Sequence, residues 1–540
     1  MTNKQIAAAF DMLAKLLELH EDNPFKIRSY ANAYITLRKY EGDLLSLEKE
    51  QLSEIKGIGD AISDKIIELR TTGQIRTLRK YQDITPSGVQ EMLRIKGLGP
   101  KKVRQIWKEL GIESPGELLY ACNENRLASI RGFGEKLQSE IAEKVEYFLM
   151  SKGRSLYHSV VEYAENFVTK LTHTWPDKRH ALCGDVRRMM PEVSGIEILT
   201  ELSADNIDFP ELGAEKTEEG IYYHGLPVYI YPTESGTFDS ELFKRSCSED
   251  FLSAFTDDAL HSGDEEAIFR HAGCGVIPAE FRESPETIHL YREAVYPLIR
   301  AEDIKGIVHN HTTYSDGLHT LKEMSEYVRQ SGFEYFLVSD HSKSAGYAGG
   351  LKESRVEEQW SEINRLNEGY KDSFRVFKGI ESDILGDGSL DYDEEILKGF
   401  DAVIASVHSI LNMDENKATS RLIRAIENPF TRILGHPTGR LLLTRPGYPI
   451  NHKKVIDACA ANNVVIELNA NPQRLDIDWN WIPYCMEKGI KIAINPDAHS
   501  MEAIHYIKWG VAVARKGGLT PDMCLNTLSK QEFIDWLSQK

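Results

Sequence analysis

The feature that most constrains this chain is a regular alternation of apolar and amphipathic segments after residue 300. Short apolar segments, typical of buried strands, occur at 306–311, 335–340, 374–381, 401–408, 432–436, 464–469 and 491–495. Amphipathic stretches such as LKEMSEYVRQSG and HKKVIDACAANN separate several of them and have helical periodicity. Repeated β-α units predict parallel strands with crossover helices, and seven such units favour a closed (β/α)7 barrel over an open sheet.

The carboxyl ends of these predicted strands carry histidine, aspartate or glutamate in nearly every case. In a barrel of parallel strands these ends meet on one face, where chemistry collects. The residues are His309, His311, Asp316, His341, Glu381, His408, His436, Asp497 and His499. A histidine at the end of one strand could be a hydrogen-bonded core residue without a metal. This explanation would have to apply independently at the ends of most of the predicted strands. We therefore predict a metal cluster, and nitrogen and oxygen ligands without a thiolate suit Zn²⁺, Mn²⁺ or Fe²⁺.

A five-residue pattern recurs in the first 150 residues, as IKGIG at 55–59, IKGLG at 95–99 and IRGFG at 130–134. Helical patterns flank each copy, so the predicted unit is a helix, a glycine turn and a second helix. The glycines allow a tight turn and a close approach to another surface. The second helix then offers free N–H groups and the positive end of its dipole to an anion. Plain helical hairpins with a capping glycine are the alternative, but three copies favour a repeated grip on phosphates. The repeat resembles helix-hairpin-helix motifs, which implies binding to the DNA backbone without reading of its sequence.

The first two copies have the stronger set of basic neighbours. The predicted contacts with the DNA backbone are Gly57, Gly59, Gly97, Gly99, Lys101 and Lys102. The third copy has fewer lysine and arginine residues beside it, so we interpret it as structural or as a weaker contact.

The overall composition limits the partners. The net charge of −19 argues against tight, nonspecific coating of DNA, although residues 1–150 are nearly balanced in charge and local basic patches still bind phosphates. The seven cysteines are scattered and never spaced C-x-x-C, which is typical of reduced cytosolic thiols. No run of about 18 uncharged apolar residues occurs, and the polar N-terminal segment does not read as a signal peptide. We expect a cytoplasmic protein with no membrane partner.

The segment HEDNPFKIRSYA at 20–31, together with the glycine repeat, resembles the N-terminal domain of family X DNA polymerases. In that family a lysine after the first hairpin can form a Schiff base with an abasic-site sugar, and Lys65 lies at the matching position. A nucleophilic lysine needs a lowered pKa, whereas Asp60, Asp64 and Glu68 lie nearby in sequence and favour the charged form. An exposed helix lysine without a catalytic role is the alternative.

The resemblance to family X polymerases continues through the middle of the chain. The corresponding segments are CGDVRR at 183–188, VSGIEIL at 193–199 and GLPVYIY at 225–231. The three aspartates that hold two Mg²⁺ ions in the family fall here on Gly195, Glu197 and Tyr229. Glycine has no ligand side chain and tyrosine is not an anion at neutral pH. We therefore predict that nucleotidyl transfer is absent and that this region is retained as a scaffold.

The C-terminal segments with their ligand motifs resemble the PHP (polymerase and histidinol phosphatase) family, a domain that bacterial family X polymerases carry at their C-terminus. The resemblance implies three divalent metals. The implied ligand sets are His309, His311, Glu381 and Asp497 for the first, Glu381, His408 and His436 for the second, and Asp316, His341 and His499 for the third. Arg440 follows a ligand motif and is a candidate contact for a substrate phosphate, with Lys343 as a second candidate.

The sequence thus predicts a multidomain α+β and α/β protein. The expected domains are a helical N-terminal domain with the first hairpin at 1–85, a fingers-like hairpin region at 86–150, a degenerate palm and thumb at 151–295 and a PHP phosphoesterase barrel at 300–540. The predicted function is metal-dependent hydrolysis of phosphodiesters in gapped, nicked or damaged DNA, as a 3′–5′ exonuclease or repair nuclease. A small-molecule phosphatase and a noncatalytic repair scaffold are the alternatives.

Overall fold

A computed structural model describes residues 1–150, 153–292 and 294–539 of the chain. Its contacts divide into two compact units, one of residues 1–123 with 127–148 and one of residues 124–126 with 149–540. The predicted domain boundary at 150/151 falls beside Ser151 and Lys152, which lie outside the described residues. Among the described residues, no helix is both long enough and apolar enough to cross a membrane.

The first unit is built from helices connected by short turns. These helices are α1 (Asn3–Leu19), α2 (Pro24–Lys39), α3 (Lys49–Glu54), α4 (Asp60–Thr72), α5 (Arg76–Asp83), α6 (Ser87–Met92), α7 (Pro100–Leu110), α8 (Pro115–Asn123) and α9 (Glu135–Met150). Helix α1 begins with a capping box in which Thr2 and Gln5 exchange hydrogen bonds. Its apolar face, which includes Phe10 and Leu13, is completely buried in the core that the first helices share.

The glycine repeat forms the same turn at all three positions. In each copy the residue between the two glycines donates its backbone N–H to the carbonyl three residues earlier, as Ile58 does to Ile55 at 2.9 Å. The first glycine has a positive φ of 95°, 88° or 93° at Gly57, Gly97 and Gly132, a conformation that favours glycine. Gly59 and Gly99 are the N-cap residues of helices α4 and α7 and provide no capping side chain. The predicted unit of two helices joined by a glycine turn is confirmed at the first two copies. The helix predicted directly before the third copy is wrong, because residues 124–129 form turns after the end of α8.

The second unit begins with a small mixed α/β region. Its elements are β1 (Ser155–Leu156), α10 (Tyr157–Thr174), β2 (His180–Leu182), α11 (Gly184–Arg187), β3 (Glu192–Val193), β4 (Ile196–Thr200), β5 (Glu215–Lys216), β6 (Ile221–Tyr223), β7 (Leu226–Pro232), α12 (Phe238–Arg245), α13 (Glu249–Leu252), α14 (Asp257–Leu260), α15 (Glu265–His271) and α16 (Glu286–Leu290). Five of the described strands form a sheet in the order β2-β4-β7-β6-β5, in which β4 and β7 are parallel.

The remaining residues alternate strands and helices, as the sequence predicts. The elements are β8 (Gly306–Val308), α17 (Leu321–Gln330), β9 (Tyr335–Val338), α18 (Glu353–Tyr370), β10 (Arg375–Asp383), α19 (Glu394–Leu397), β11 (Ala402–Ser406), α20 (Glu415–Ile426), β12 (Thr431–Leu434), α21 (His452–Asn462), β13 (Val465–Asn469), α22 (Ile482–Glu487), β14 (Ile492–Asn495), α23 (Ile507–Lys516) and α24 (Lys530–Leu537). Within the described chain, β8 to β14 form one parallel sheet of seven strands in chain order. A parallel bridge between Asn310 and Ala498 brings its first and last strands together. The predicted seven-stranded barrel is therefore confirmed.

The two ends of the barrel differ in polarity. Near the amino ends of the strands, apolar side chains fill the interior, and Phe533 of α24 stacks on Tyr335 with ring centroids 4.4 Å apart. The buried polar residues gather at the opposite end, where the strands finish. The barrel therefore presents its polar groups at the carboxyl ends of the strands, which is where chemistry is located in such folds.

Helix α23 fastens the small α/β region to the barrel. Arg515 donates from Nε and Nη2 to the carboxylate of Glu280, at 2.8 and 2.6 Å. The buried ammonium group of Lys516 pairs with Glu283 and donates to the backbone carbonyl of Arg188. Because buried charges are stable only when they are paired, these contacts hold the two parts of this unit in a fixed relation.

Candidate metal centre

All nine predicted ligand residues converge at the carboxyl end of the barrel. Glu381 of β10 lies at the centre and is 1% exposed. Its Oε1 atom lies 3.2 Å from His309 Nε2, 3.2 Å from His408 Nε2 and 3.0 Å from His436 Nε2. Its Oε2 atom lies 2.9 Å from Nδ1 of His341. One carboxylate thus connects four histidines from four separate strand ends.

The remaining ligands lie beside this centre. Asp497 Oδ1 is 3.0 Å from His311 Nε2, and Asp316 Oδ1 is 3.4 Å from His499 Nε2. Three overlapping groups have ligand atoms within 4.8 Å of one another. They are His311, Asp316, His341 and His499; His309, His311 and Asp497; and His341, Glu381 and His408. The predicted nine-residue set is therefore assembled in space.

Unpartnered buried atoms show that these residues fit a metal. Several buried atoms of these residues make no hydrogen bond of acceptable geometry, although some lie within ion-pair distance of each other. They are His309 Nε2, His311 Nδ1, both carboxylate oxygens of Asp316, His341 Nδ1, Glu381 Oε2, His436 Nδ1 and His499 Nε2. Buried polar atoms are normally hydrogen-bonded, so such a concentration needs an explanation. Divalent cations satisfy nitrogen and carboxylate oxygen donors in this arrangement, and the cluster can therefore hold metal ions.

The electrostatics of the cluster also favour cations. Burial opposes ionisation of the central carboxylates, but the surrounding histidines outweigh it and hold the pKa values of Glu381 and Asp497 well below their usual range. Burial likewise opposes the charged form of His408, yet Glu381 and Asp383 raise its pKa to about 10. The carboxylates are thus anionic at neutral pH, and positive charge at this position stabilises them.

Two ligands are held in an uncommon backbone conformation. His309 has φ of 64° and Asp497 has φ of 51°, in the left-handed region that non-glycine residues seldom occupy. The bridge between Asn310 and Ala498 joins the residues that directly follow them. Such strain persists when surrounding contacts fix it and is common at functional sites. The closure of the barrel and the direction of these two ligands therefore depend on each other.

Comparison with known proteins gives this geometry a family. Residues 308–471 match the PHP domain, residues 1–75 a helix-hairpin-helix domain and residues 89–144 a SAM-like helix-hairpin-helix tandem. The chain is 31% identical, over an alignment of 579 positions including gaps, to the DNA polymerase/3′-5′ exonuclease PolX of Bacillus subtilis strain 168, with 100% of both chains covered. The chain belongs to the bacterial PolX family. The predicted family resemblance, with its C-terminal PHP domain, is confirmed.

Other relatives match the barrel part of this PolX family member. A probable phosphatase of Thermoanaerobacter sp. strain X514 is 30% identical over 236 residues, which covers 41% of this chain and 89% of the relative. The crystal structure of histidinol phosphate phosphatase from Lactococcus lactis is 18% identical, covers 39% of this chain and 94% of its own, and aligns with a TM-score of 0.32.

Glu467 of β13 is a functional residue that the sequence analysis missed. Its side chain is completely buried, and its Oε2 atom lies 2.6 Å from His309 Nδ1 and accepts from Asn495 Nδ2 at 2.8 Å. Its Oε1 atom accepts from the backbone N–H of His436 at 3.0 Å and from Asn469 Nδ2 at 3.1 Å. A carboxylate only accepts, so His309 donates from Nδ1 and turns its Nε2 lone pair to the cluster.

Two more carboxylates act beside the ligands. Asp383 Oδ1 lies 2.6 Å from His408 Nδ1, which directs the Nε2 atom of that ring at Glu381. Asp340 directly precedes His341 in sequence, but none of its described hydrogen bonds reaches that ring. Asp340 instead accepts from the backbone and side chain of both Thr312 and Ser315. It thereby fixes the loop that carries Asp316.

The two predicted phosphate contacts, Arg440 and Lys343, are already paired within the chain. Arg440 donates from Nε to the carbonyl of Arg474 at 2.9 Å, from Nη1 to Asp478 at 2.5 Å and from Nη2 to the carbonyl of Leu475. These contacts engage each nitrogen of its guanidinium within the chain, so a role in phosphate binding stays a prediction. Lys343 pairs with Glu353 at 2.7 Å. Arg474, which the sequence analysis did not single out, lies with Nε 4.0 Å from Asp497 Oδ2.

The predicted functional residues of the first unit are exposed or partly exposed. Lys101 is exposed, and Lys102 is partly exposed in the same first turn of α7. Lys65 is half-buried, and its Nζ donates to Thr77 Oγ1 at 3.0 Å. The acids near it in sequence pair with other residues, since Asp64 contacts Lys49 and Glu68 contacts Arg76. The roles of these residues in DNA binding and in lyase chemistry stay predictions.

We predict that Glu467→Gln weakens metal binding without unfolding the barrel. The amide keeps the size of the side chain but replaces an acceptor oxygen with a donor, so it no longer fixes the His309 ring. Loss of such an outer partner typically costs about 10–100-fold in metal affinity. Competition with a chromophoric chelator measures this change, and Glu368→Gln on the exposed face of α18 is the matched control. Equal affinities in the two variants would contradict the assignment.

Proposed function

We propose that this PolX family member is a metal-dependent phosphodiesterase that acts on DNA, as a 3′–5′ exonuclease or repair nuclease. The observation that carries the proposal is the cluster of nine predicted ligand residues, Glu381 and the eight around it, within a chain whose first 150 residues match two helix-hairpin-helix families. The full-length relative named as a 3′-5′ exonuclease supports the same activity.

The ligand sets favour three divalent ions of the Zn²⁺, Mn²⁺ or Fe²⁺ type. His309, His311, Asp497 and Glu381 would hold one, Glu381, His408 and His436 a second, and Asp316, His341 and His499 a third. Bound divalent ions supply hydroxide near neutral pH and stabilise the charge on a phosphate in its transition state. The protein fixes the direction of the donors, since Glu467 and Asp383 orient two ligand histidines and Asn469 donates to Asp497 Oδ2 at 2.9 Å.

The hairpin repeat supplies the proposed DNA contacts. Gly57 and Gly97 let the turns approach a surface closely, and the first turns of α4 and α7 lack a capping side chain. Free N–H groups at these helix starts can bind phosphate oxygens together with Lys101 and Lys102. Backbone contacts of this kind carry no sequence information, which suits a protein that acts at gaps, nicks or damage.

The palm-like region does not support nucleotidyl transfer. Gly195 has no room for an aspartate side chain, because a Cβ atom there would lie 2.4 Å from the carbonyl oxygen of Pro227. Tyr229 pairs with Glu197 on the adjacent parallel strand. Glu197 itself accepts from the backbone N–H of Asp185 at 2.8 Å. One carboxylate remains where a two-metal site needs several.

The arginines of the CGDVRR segment are also engaged. Arg187 makes a bidentate pair with Glu265 at 2.8 and 3.0 Å. Arg188 pairs with Asp185 at 2.9 Å and with Glu283 at 3.3 Å. Burial opposes the charge of Glu265, but Arg282 and Arg187 outweigh it and lower its pKa to about 2. These pairs stabilise the region as a scaffold.

A small-molecule phosphatase is the second candidate. It is favoured by the probable phosphatases that match the barrel part of the chain and little else. It assigns no role to the hairpin repeat, so DNA is the preferred substrate class.

We predict metal-dependent release of mononucleotides from a 3′-labelled duplex in Mn²⁺, with no release in EDTA. His309→Ala and Asp497→Ala each remove a ligand and should reduce the rate by more than the ~10–100-fold typical of losing an outer partner. The matched control is His271→Ala, at an exposed histidine in the α/β region. Faster hydrolysis of histidinol phosphate than of DNA by the same preparation would favour the phosphatase.

We predict that Lys101→Ala combined with Lys102→Ala weakens DNA binding equally for unrelated sequences. The slope of log affinity against log salt should decrease by about 0.9 for each lost phosphate contact. Fluorescence anisotropy over a salt series measures both quantities, with Lys4→Ala as the control at an exposed lysine of the same unit. An unchanged slope in the double variant would exclude these two lysines from the interface.

We predict no incorporation of radiolabelled deoxynucleotides into a primed gapped duplex, in Mg²⁺ or in Mn²⁺. The reason is that Gly195 and Tyr229 cannot replace the two missing carboxylates. Incorporation that disappears in Glu197→Ala would show that this region still catalyses the reaction and would refute the scaffold role.

A further inference from the structure

A second group of charged side chains lies at the opposite end of the barrel from the metal ligands. It lines a cavity of 370 Å³ at the amino ends of β12, β13 and β14. The charged lining residues are Arg432, Lys488 and Lys491, and no aspartate or glutamate among the described residues lines it. In a chain of net charge −19, a cavity with only cationic charge indicates a counter-ion that is not part of its wall.

Arg432 is the decisive residue. It is 6% exposed, and its Nε atom is buried without a hydrogen-bond partner. Its Nη2 atom donates to the carbonyl of Trp536 at 2.5 Å, and its guanidinium lies 4.4 Å from the centroid of that indole ring. None of the ion pairs in the described parts of the chain includes Arg432. A buried guanidinium without an anion is strongly unfavourable.

Electrostatics support the same conclusion. Burial lowers the pKa of Arg432, and no carboxylate in the described parts of the chain opposes that effect. The two lysines are better compensated, since Lys488 Nζ lies 3.6 Å from Asp457 and Lys491 donates to the carbonyl of Asp522. The uncompensated charge of the cavity is therefore that of Arg432.

The ends of helices α21, α22 and α24 offer an alternative partner for these cations, because carbonyls at a helix C-terminus carry partial negative charge. The carbonyl of Trp536, near the end of α24, does satisfy Nη2 of Arg432. It leaves Nε of the same group without an acceptor. Helix ends thus account for one donor and not for the whole site.

We propose that this cavity binds a phosphate-bearing anion of about mononucleotide size. A guanidinium matches the oxygens of phosphate geometrically, and Lys488 and Lys491, whose partners offset their charge only in part, add to the positive potential of the cavity. The cavity volume lies within the range of small-molecule sites. The phosphate can come from a free nucleotide or from DNA, and the site is separate from the metal ligands. This inference does not depend on the nuclease activity proposed above.

The test measures binding of inorganic phosphate and of thymidine monophosphate to the full-length chain by isothermal titration calorimetry, with chloride at matched ionic strength. Phosphate also has affinity for metal centres, so the measurement is made in the His309→Ala background with chelator present. We expect saturable binding there, and a loss of about 10-fold or more on adding Arg432→Gln, the size typical of a hydrogen bond to a charged group.

A second variant keeps the result independent of folding. Lys491→Gln lies at the partly exposed rim and should lower phosphate affinity several-fold while the melting temperature stays unchanged. A 5′-phosphorylated single-stranded oligonucleotide distinguishes a phosphate carried by DNA from one carried by a free nucleotide. If the site binds DNA, Arg432→Gln should weaken binding of this oligonucleotide. An unchanged oligonucleotide affinity together with weaker nucleotide binding identifies a free ligand. Phosphate binding that is absent in the His309→Ala background, or unchanged by both substitutions, would overturn the proposal and leave the helix ends as the partners of these cations.

Discussion

The burial of Glu381 is the constraint on which the PHP barrel depends. A carboxylate that is 1% exposed and has three imidazole nitrogens within 3.2 Å of one oxygen is stable only where positive charge is supplied. The histidines supply part of that charge, and the unpartnered ligand atoms mark where metal ions would supply the rest. This requirement accounts for the predicted ligands at or near the carboxyl ends of six of the seven described strands, while the apolar filling of the barrel lies at its other end.

A buried charge cluster of this kind has to be held against its own repulsion. Glu467 contributes by joining the side chain of His309, the backbone of His436 and the amide of Asn469, so that one carboxylate fixes groups from three strands. Asp340 does the same for the loop before Asp316. The left-handed backbone at His309 and Asp497 is tolerated because these contacts and the bridge at Asn310 leave no alternative.

The ligand set could be predicted from the sequence because parallel strands place their carboxyl ends on one face, so a donor after each apolar segment is sufficient to locate the site. Glu467 was missed because it lies within an apolar strand, between Ile466 and Leu468, rather than after it. An acid inside such a strand was the available indication, since burial without a partner is unfavourable. Arg440 shows that a sequence pattern can also suggest a residue whose side chain points elsewhere. Its position near His436 in sequence does not determine the direction of its side chain, which donates to Asp478.

We propose that the palm-like region has kept its fold without its chemistry. A two-metal site needs several carboxylates converging on one point, and a Cβ atom at Gly195 would lie 2.4 Å from the carbonyl oxygen of Pro227. Stability of the fold requires only that buried charges are paired, and the ion pairs of Arg187 with Glu265 and of Lys516 with Glu283 remain.

The range of electrostatic forces also limits how an acidic chain can bind DNA. With a net charge of −19, the long-range field repels a polyanion, so attraction has to act within the Debye length of about 8 Å at physiological salt. Backbone N–H groups at helix starts, reinforced by one or two lysines, act at that range, which makes the glycine turns better suited to this chain than an extended basic surface.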